Sequence, residues 1–288
     1  MKLKLLFTAL LLSFIFQTQS QQTGSFNTSV MFNGESRTLS CYVPTDYDSS
    51  NTYKLMVGLH GMGDNSTNYR NALSSSAWRS VFPQTIFVFP DGGGADFYAE
   101  QGSEDIILEA LDYAMTNYYI DSSYVVLQGF SLGGRSAMKF GLDHPEMFKG
   151  LLLNTPAVQG ANDGRNDSLA GIHYDYSNAN QIPIYLIVGE DDQLYDYTLK
   201  STTIPLLRKN DAILDFYSIA GLGHNLPSWG SWMRKSPYAF FDNPASAPFD
   251  IHLFDADVPY RTCSTKVPVS CFIQNTGDST VTSVEIKY

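Results

Sequence analysis

The chain is short of cysteine, of basic residues and of long apolar runs, and each shortage closes off a class of protein. Three cysteines in 288 residues are too few for a disulfide scaffold, and no CxxC or clustered Cys/His spacing offers a zinc ligand set. Eighteen Lys and Arg stand against 29 Asp and Glu, a formal charge of -11, which is the wrong sign for phosphate contacts and argues against a nucleic-acid partner. The N-terminal apolar stretch Leu5 to Phe16 is twelve residues long, whereas a bilayer-spanning helix needs about 20. What is present is a globular composition, 43% hydrophobic and 14% aromatic, the reverse of a disordered chain. The length suffices for one large domain or one and a half, at about 100 to 200 residues each.

Residues 1–20 read as a secretory signal peptide rather than as part of the fold. Lys2 and Lys4 precede the apolar run, and Gln17-Thr18-Gln19-Ser20 supplies small residues for cleavage after Ser20. No cysteine lies near that point, so no lipid anchor is expected, and the twelve-residue apolar stretch is too short for a membrane anchor. Cleavage removes two lysines and no acid, which takes the mature charge to -13. Export permits disulfides.

Val30-Met31-Phe32, Asn33-Gly34 and the alternating Leu39, Cys41 and Val43 predict a hairpin, Asn-Gly supplying the two positive φ angles of a tight turn. Pro44 ends it. Short apolar runs follow at Leu55 to Leu59, Thr85 to Phe89, Tyr124 to Leu127, Gly150 to Leu153, Ile184 to Val188 and Leu214 to Ile219. Runs without alternation are the pattern of strands buried on both faces. Between them Ile106, Ile107, Ala110, Leu111, Ala114 and Met115 fall at helical spacing behind Ser103 as N-cap. Strand alternating with helix predicts an α/β class: a doubly wound, mostly parallel sheet with helices on both faces, over residues 21–245.

Beyond a turn-rich linker, Asp242 to Pro248, the period becomes two: Val267, Val269, Cys271 and Ile273 alternate, Asn275 to Asp278 turn, and Val284, Ile286 and Tyr288 alternate again. Two or three strands are not independently stable. Residues 246–288 therefore either pack on the main domain or, as the favoured reading, open a β-sandwich module, in which Cys263 and Cys271 could bridge. Cys41, at an inward strand position, is expected to be a buried free thiol.

The chemistry centres on Gly129-Phe130-Ser131-Leu132-Gly133, a GxSxG pattern. The motif alone is weak. Here it directly follows an apolar strand and opens a helix-compatible run, Arg135 to Leu142, the setting a nucleophile elbow requires. A serine hydroxyl needs a base and an acid, in the chain order Ser, Asp, His. Of the four later histidines, His144 ends the elbow helix, His173 precedes the acid and His252 lies past the linker, which leaves His224 in Gly221-Leu222-Gly223-His224. For the acid, Gly189-Glu190-Asp191-Asp192 follows the Ile184 strand, and Asp192 is preferred to Asp191 as the carboxylate that orients His224. The oxyanion would meet two backbone N–H groups, Leu132 after the nucleophile and Met62 in Leu59-His60-Gly61-Met62 after an early strand. His60 is read as shaping that loop. Tyr195, Tyr197, Trp229 and Trp232 flank the acid and base loops and could stack on a sugar or phenolic ring. No metal or organic cofactor is required.

These residues resemble the α/β-hydrolase superfamily and, within it, the secreted esterase group of feruloyl esterases, acetyl xylan esterases and polyhydroxybutyrate depolymerases. The resemblance covers roughly residues 24–242 and rests on Phe32-Asn33-Gly34 through Pro44, Leu59-His60-Gly61, Phe89-Pro90-Asp91-Gly92, Gly129 to Gly134, Gly189 to Asp192, and Gly221 to His224 with Pro227 and Trp229. It departs from the group in that the tryptophan after the histidine is displaced, which touches the shape of the acyl pocket. The resemblance implies a secreted serine carboxylesterase acting on small or polysaccharide-linked esters. The alternatives are a serine peptidase or acyltransferase on the same scaffold, and a binding or adhesion protein that kept the fold. Neither the particular ester nor the oligomeric state is legible.

Overall fold

A computed structural model describes residues 21–92, 105–158, 174–231, 233 and 235–244, together with the backbone of two later strands, 251–257 and 270–275. The chain opens with the antiparallel hairpin of β1 (Gly24–Phe32) and β2 (Glu35–Val43), turned by Asn33 and Gly34 at φ 49° and 79°. There follow β3 (Tyr53–Leu59), helices α1 (Ser66–Leu73) and α2 (Ser76–Val81), β4 (Thr85–Pro90), α3 (Asp105–Asn117), β5 (Ile120–Phe130) and α4 (Leu132–Asp143). Then come β6 (Gly150–Asn154), β7 (Ile184–Gly189), the short α5 (Asp196–Thr198) continuing into α6 (Ile204–Lys209), β8 (Leu214–Ile219) and α7 (Pro237–Asp242).

Eight strands form one sheet in the order β1-β2-β4-β3-β5-β6-β7-β8. The β1-β2 and β2-β4 pairs are antiparallel and the rest parallel. The expected mostly parallel sheet is thus present; β8 has the bounds of its apolar run, and the other strands exceed theirs by one to a few residues at the ends. Each central strand is buried on both faces, and period two divides its side chains between two cores. Leu55, Val57 and Leu59 of β3 and Val125 and Leu127 of β5 face α3, α4 and α6. Met56 of β3 and Tyr124 and Val126 of β5 face an aromatic layer built on Tyr69, Trp78, Phe240 and Phe241. A fully buried leucine or phenylalanine of this kind stabilises by about 1.5 to 3 kcal/mol, so the sheet holds together without a disulfide.

Helix α3 buries the expected Ile106, Ile107, Ala110, Leu111 and Ala114, while Met115 sits at the edge of the stripe, 36% exposed. Its proposed N-cap Ser103 lies outside the described residues, as does the expected signal peptide at residues 1–20. Cys41 is buried and free. In the tail, β9 (Ile251–Asp257) and β10 (Ser270–Asn275) pair antiparallel with a register shift between Phe272 and Ile273. The strand around Cys271 thus pairs with a segment that precedes it in the chain. Cys263 and the Cys271 side chain lie outside the described residues.

This topology creates the site. From β3 the chain steps to β4 on one side, then crosses to β5 on the other, so a crevice opens above the carboxyl ends of β3 and β5. The loop after β3 and the turn after β5 both open into it.

Candidate active site

Ser131 stands between the end of β5 and the first turn of α4, with φ 56° and ψ -119°. A non-glycine residue held there carries strain of about 1 to 3 kcal/mol, which persists only when the surroundings fix it. They do. Ser131 N–H donates to the Asn154 carbonyl at 3.1 Å, and the Ser131 carbonyl accepts from Arg135 N–H at 2.9 Å and Ala157 N–H at 2.8 Å. The flanking glycines are steric necessities: a Cβ on Gly129 would overlap the Gly133 carbonyl, and one on Gly133 would overlap the Leu59 and His60 carbonyls.

His224 arrives from the loop after β8, which packs against the end of β7. A side chain on Gly189 would overlap the Leu222 and Gly223 carbonyls, so this glycine lets the loop bearing His224 lie flat on the loop bearing Asp192. Asp191 N–H fastens the two by donating to the Leu222 carbonyl at 3.0 Å, and its own side chain is exposed. The next residue, Asp192, turns inward and is buried.

Three side chains from three strand ends then meet. His224 Nε2 lies 2.9 Å from Ser131 Oγ, and His224 Nδ1 lies 2.9 Å from Asp192 Oδ2. The carboxylate only accepts, so Nδ1 carries the ring proton and Nε2 is left to accept from the serine hydroxyl. Asp192 Oδ1 in turn accepts from Leu194 N–H at 2.9 Å and Tyr195 N–H at 3.2 Å, which fixes the carboxylate before the imidazole is considered. Two rings lie near the imidazole, Phe130 at 4.9 Å and Tyr195 at 5.2 Å between centroids.

Backbone also approaches Ser131 from two sides. Leu132 is the first residue of α4, whose initial N–H groups have no helical acceptor and carry the positive end of the helix dipole. The loop after β3 comes close to the nucleophile, since a Cβ on Gly61 would lie 3.3 Å from Ser131 Cβ, and Met62 follows with its side chain exposed. His60 is buried beneath this loop, its Nδ1 2.9 Å from the Gly61 carbonyl and its Nε2 accepting Gly92 N–H at 3.2 Å, a loop-shaping arrangement.

The aromatic candidates separate. Tyr195 reaches the imidazole, and Tyr197 is exposed. Trp229, partly buried, is held edge-on by Trp78 and Phe82 at 4.9 and 5.6 Å against the aromatic core layer. Trp232 lies outside the described residues. Sequence reasoning missed Phe130 as a wall of the base, because the second position of GxSxG carries no chemical demand. It also passed over Gln128, a polar residue in the buried stretch of β5, although that oddity was visible.

Among the described residues no group of three or more His, Cys, Asp or Glu is placed to hold a metal, and no helix is long and apolar enough to cross a membrane.

Residues 29–235 match the family described as "Putative esterase". The chain belongs to this esterase family. A protein named "Probable feruloyl esterase C" from Aspergillus niger is 29% identical over 148 residues, 49% of this chain and 54% of its own. A protein of the same name from Aspergillus terreus is 28% identical over 181 residues, 59% of this chain and 67% of its own. The aligned regions thus span about half to two thirds of the length of these curated relatives. In three dimensions the esterase fold superposes on a ferulic acid esterase from Anaeromyces mucronatus solved with ferulic acid, with a TM-score of 0.58 at 19% identity, over 74% of this chain and 88% of that one. At that identity the likeness establishes the α/β-hydrolase fold.

Proposed function

We propose that the chain is an exported serine carboxylesterase that cleaves feruloyl or acetyl esters of plant polysaccharide through an acyl-enzyme. The observation that carries the serine mechanism is the unbroken relay from Ser131 through His224 to Asp192, with 2.9 Å at each step. In acylation His224 Nε2 takes the hydroxyl proton as Ser131 Oγ attacks the ester carbonyl. The oxyanion forms against the Leu132 and Met62 N–H groups, and collapse expels the alcohol with the proton from Nε2. Water then repeats the cycle and releases the acid. Asp192 holds the tautomer and stabilises the imidazolium. Family membership and the feruloyl esterase relatives support the substrate class, and Lys2, Lys4 and the apolar run to Phe16 support export.

The test is hydrolysis of p-nitrophenyl acetate and methyl ferulate by purified protein and by Ser131→Ala. Loss of the serine should lower kcat by about 10⁶-fold. Unchanged turnover by the variant would end the serine assignment, and turnover of acetyl but not feruloyl esters would narrow the substrate.

A further inference from the structure

Beneath the nucleophile, three polar side chains occupy a layer that is otherwise apolar. Val126, Leu152, Ile187 and Phe89 share this face, and Gln128 and Asn154, both 0% exposed, sit among them. A buried carboxamide without partners costs several kcal/mol, a cost that a leucine at either position would avoid. The two carboxamides meet instead, through the Asn154 oxygen, while Asn154 Nδ2 is buried without a hydrogen-bond partner. Gln128 Nε2 donates to Asn154 Oδ1 at 3.0 Å, and Tyr69 Oη from α1 lies 3.0 Å from Gln128 Oε1 and 2.8 Å from Nε2. Room for this contact comes from β3, where Gly58 pairs with Gln128 in register; a Cβ there would overlap the Phe89 ring and lie 3.2 Å from Gln128 Oε1.

The location matters. Gln128 stands three residues before Ser131 on β5, and Asn154 is the last residue of the neighbouring β6. The main chain of Asn154 accepts the Ser131 N–H. The side-chain bond therefore ties the ends of β5 and β6 together just before the chain leaves the sheet for the strained elbow. We propose that Gln128 and Asn154 form a staple that positions the nucleophile, with Tyr69 orienting the Gln128 carboxamide. The staple keeps the Asn154 carbonyl where it can hold Ser131 in its φ 56° conformation, and so keeps Oγ on His224 Nε2. These are positioning residues and touch no reacting atom. The kinetic consequence rests on the esterase reading, whereas the effect on the elbow does not.

The test uses the full chain carrying Gln128→Met, which keeps length and approximate volume but removes the donor. Hydrogen exchange of the 129–135 segment, followed by mass spectrometry, should quicken about tenfold or more. Ester hydrolysis should show kcat lowered about 10- to 100-fold with KM within about twofold, since a misplacement near 1 Å at a reacting group costs about 10²-fold. Asn154→Leu should act alike, and the double variant should lose no more than either single one, the mark of a shared interaction. Should Gln128→Met fail to fold by circular dichroism, Tyr69→Phe, which removes one hydroxyl, decides, with an expected three- to tenfold loss in kcat and the same direction of exchange. Parental exchange and parental kcat in the deciding variant overturn the staple, even if its melting temperature falls. If the parent neither hydrolyses esters nor labels with a fluorophosphonate at Ser131, the esterase reading falls and exchange alone judges the staple.

Discussion

Asparagine at position 192 would change one atom and, by the geometry around it, silence the base. Asp192 Oδ1 accepts two backbone N–H groups, from Leu194 and Tyr195, while Oδ2 accepts one hydrogen, from His224 Nδ1. The side chain is fully buried, so water cannot replace a lost partner. The carboxamide of Asp192→Asn has two orientations. With its oxygen toward Leu194 and Tyr195 both backbone donors stay satisfied, and its NH₂ faces Nδ1. That forces Nδ1 to accept, moves the ring proton to Nε2, and points a hydrogen at Ser131 Oγ where a lone pair is needed. The flipped orientation preserves the tautomer but sets the NH₂ against the Leu194 and Tyr195 N–H donors, which lose their acceptor. At about 0.5 to 1.5 kcal/mol for each hydrogen bond lost, the flip costs about 1 to 3 kcal/mol. The unflipped form wins, because a neutral imidazole takes whichever tautomer its neighbours dictate. The expected result is a loss in kcat on the order of 10⁴-fold with KM nearly unchanged. Melting should fall by no more than about 2 to 4 °C, the effect of about 1 kcal/mol in a domain of this size. Steady-state hydrolysis of p-nitrophenyl acetate, with the concentration of folded protein fixed by circular dichroism, measures it. A kcat within tenfold of the parent would refute the reasoning, since the carboxylate would then not be setting the tautomer.

Three further outcomes follow from other contacts. Gly189→Ala pushes a Cβ into the Leu222 and Gly223 carbonyls, so the loop bearing His224 must move by about 1 Å; kcat should fall about 10²-fold while the protein stays folded, and parental turnover would contradict it. Ser131→Gly should abolish hydrolysis yet melt about 2 to 4 °C above Ser131→Ala, because glycine accepts φ 56° without strain and the relief of about 1 to 3 kcal/mol outweighs its extra chain entropy of about 0.5 to 1 kcal/mol; calorimetry that ranks the two the other way would show the elbow unstrained. Burial pushes the Cys41 thiol up to about 12 despite the nearby Arg70 cation, so at pH 8 iodoacetamide should leave the Cys41 peptide unmodified in the folded protein and label it fully in guanidinium, as read by mass spectrometry.

The sheet was legible because its strands are buried on both faces. Leu55 to Leu59 and Ile184 to Val188 cannot alternate when both sides meet a core, and a short unbroken apolar run between helix-length spacers has few other readings. Strand ends were less legible. Tyr53 and Lys54 extend β3 and Gln128 to Phe130 extend β5, since hydrogen bonding continues past the last apolar residue wherever a neighbouring strand is present. The partner of the strand around Cys271 was illegible for another reason: a period of two fixes which face a residue takes but not which strand lies beside it.

The site shows the same division between local and non-local information. Ser131 and His224 follow from local chemistry, a steric motif and chain order. Asp191 and Asp192 are adjacent carboxylates of one type, and nothing in their composition separates them. What separates them is a turn: Asp191 spends its N–H on the Leu222 carbonyl and points its side chain to solvent, so the following residue points inward, beneath the loop that carries the base. Trp229 shows what local sequence leaves out: nearness to His224 says nothing of the edge-on packing of its indole against Trp78 and Phe82. Gln128 is the informative case, because a polar residue at the end of the buried run Tyr124 to Leu127 is a local anomaly whose cause lies one strand away, at Asn154. A sequence can announce that such a residue is held by something, and the pairing of β5 with β6 determines what holds it.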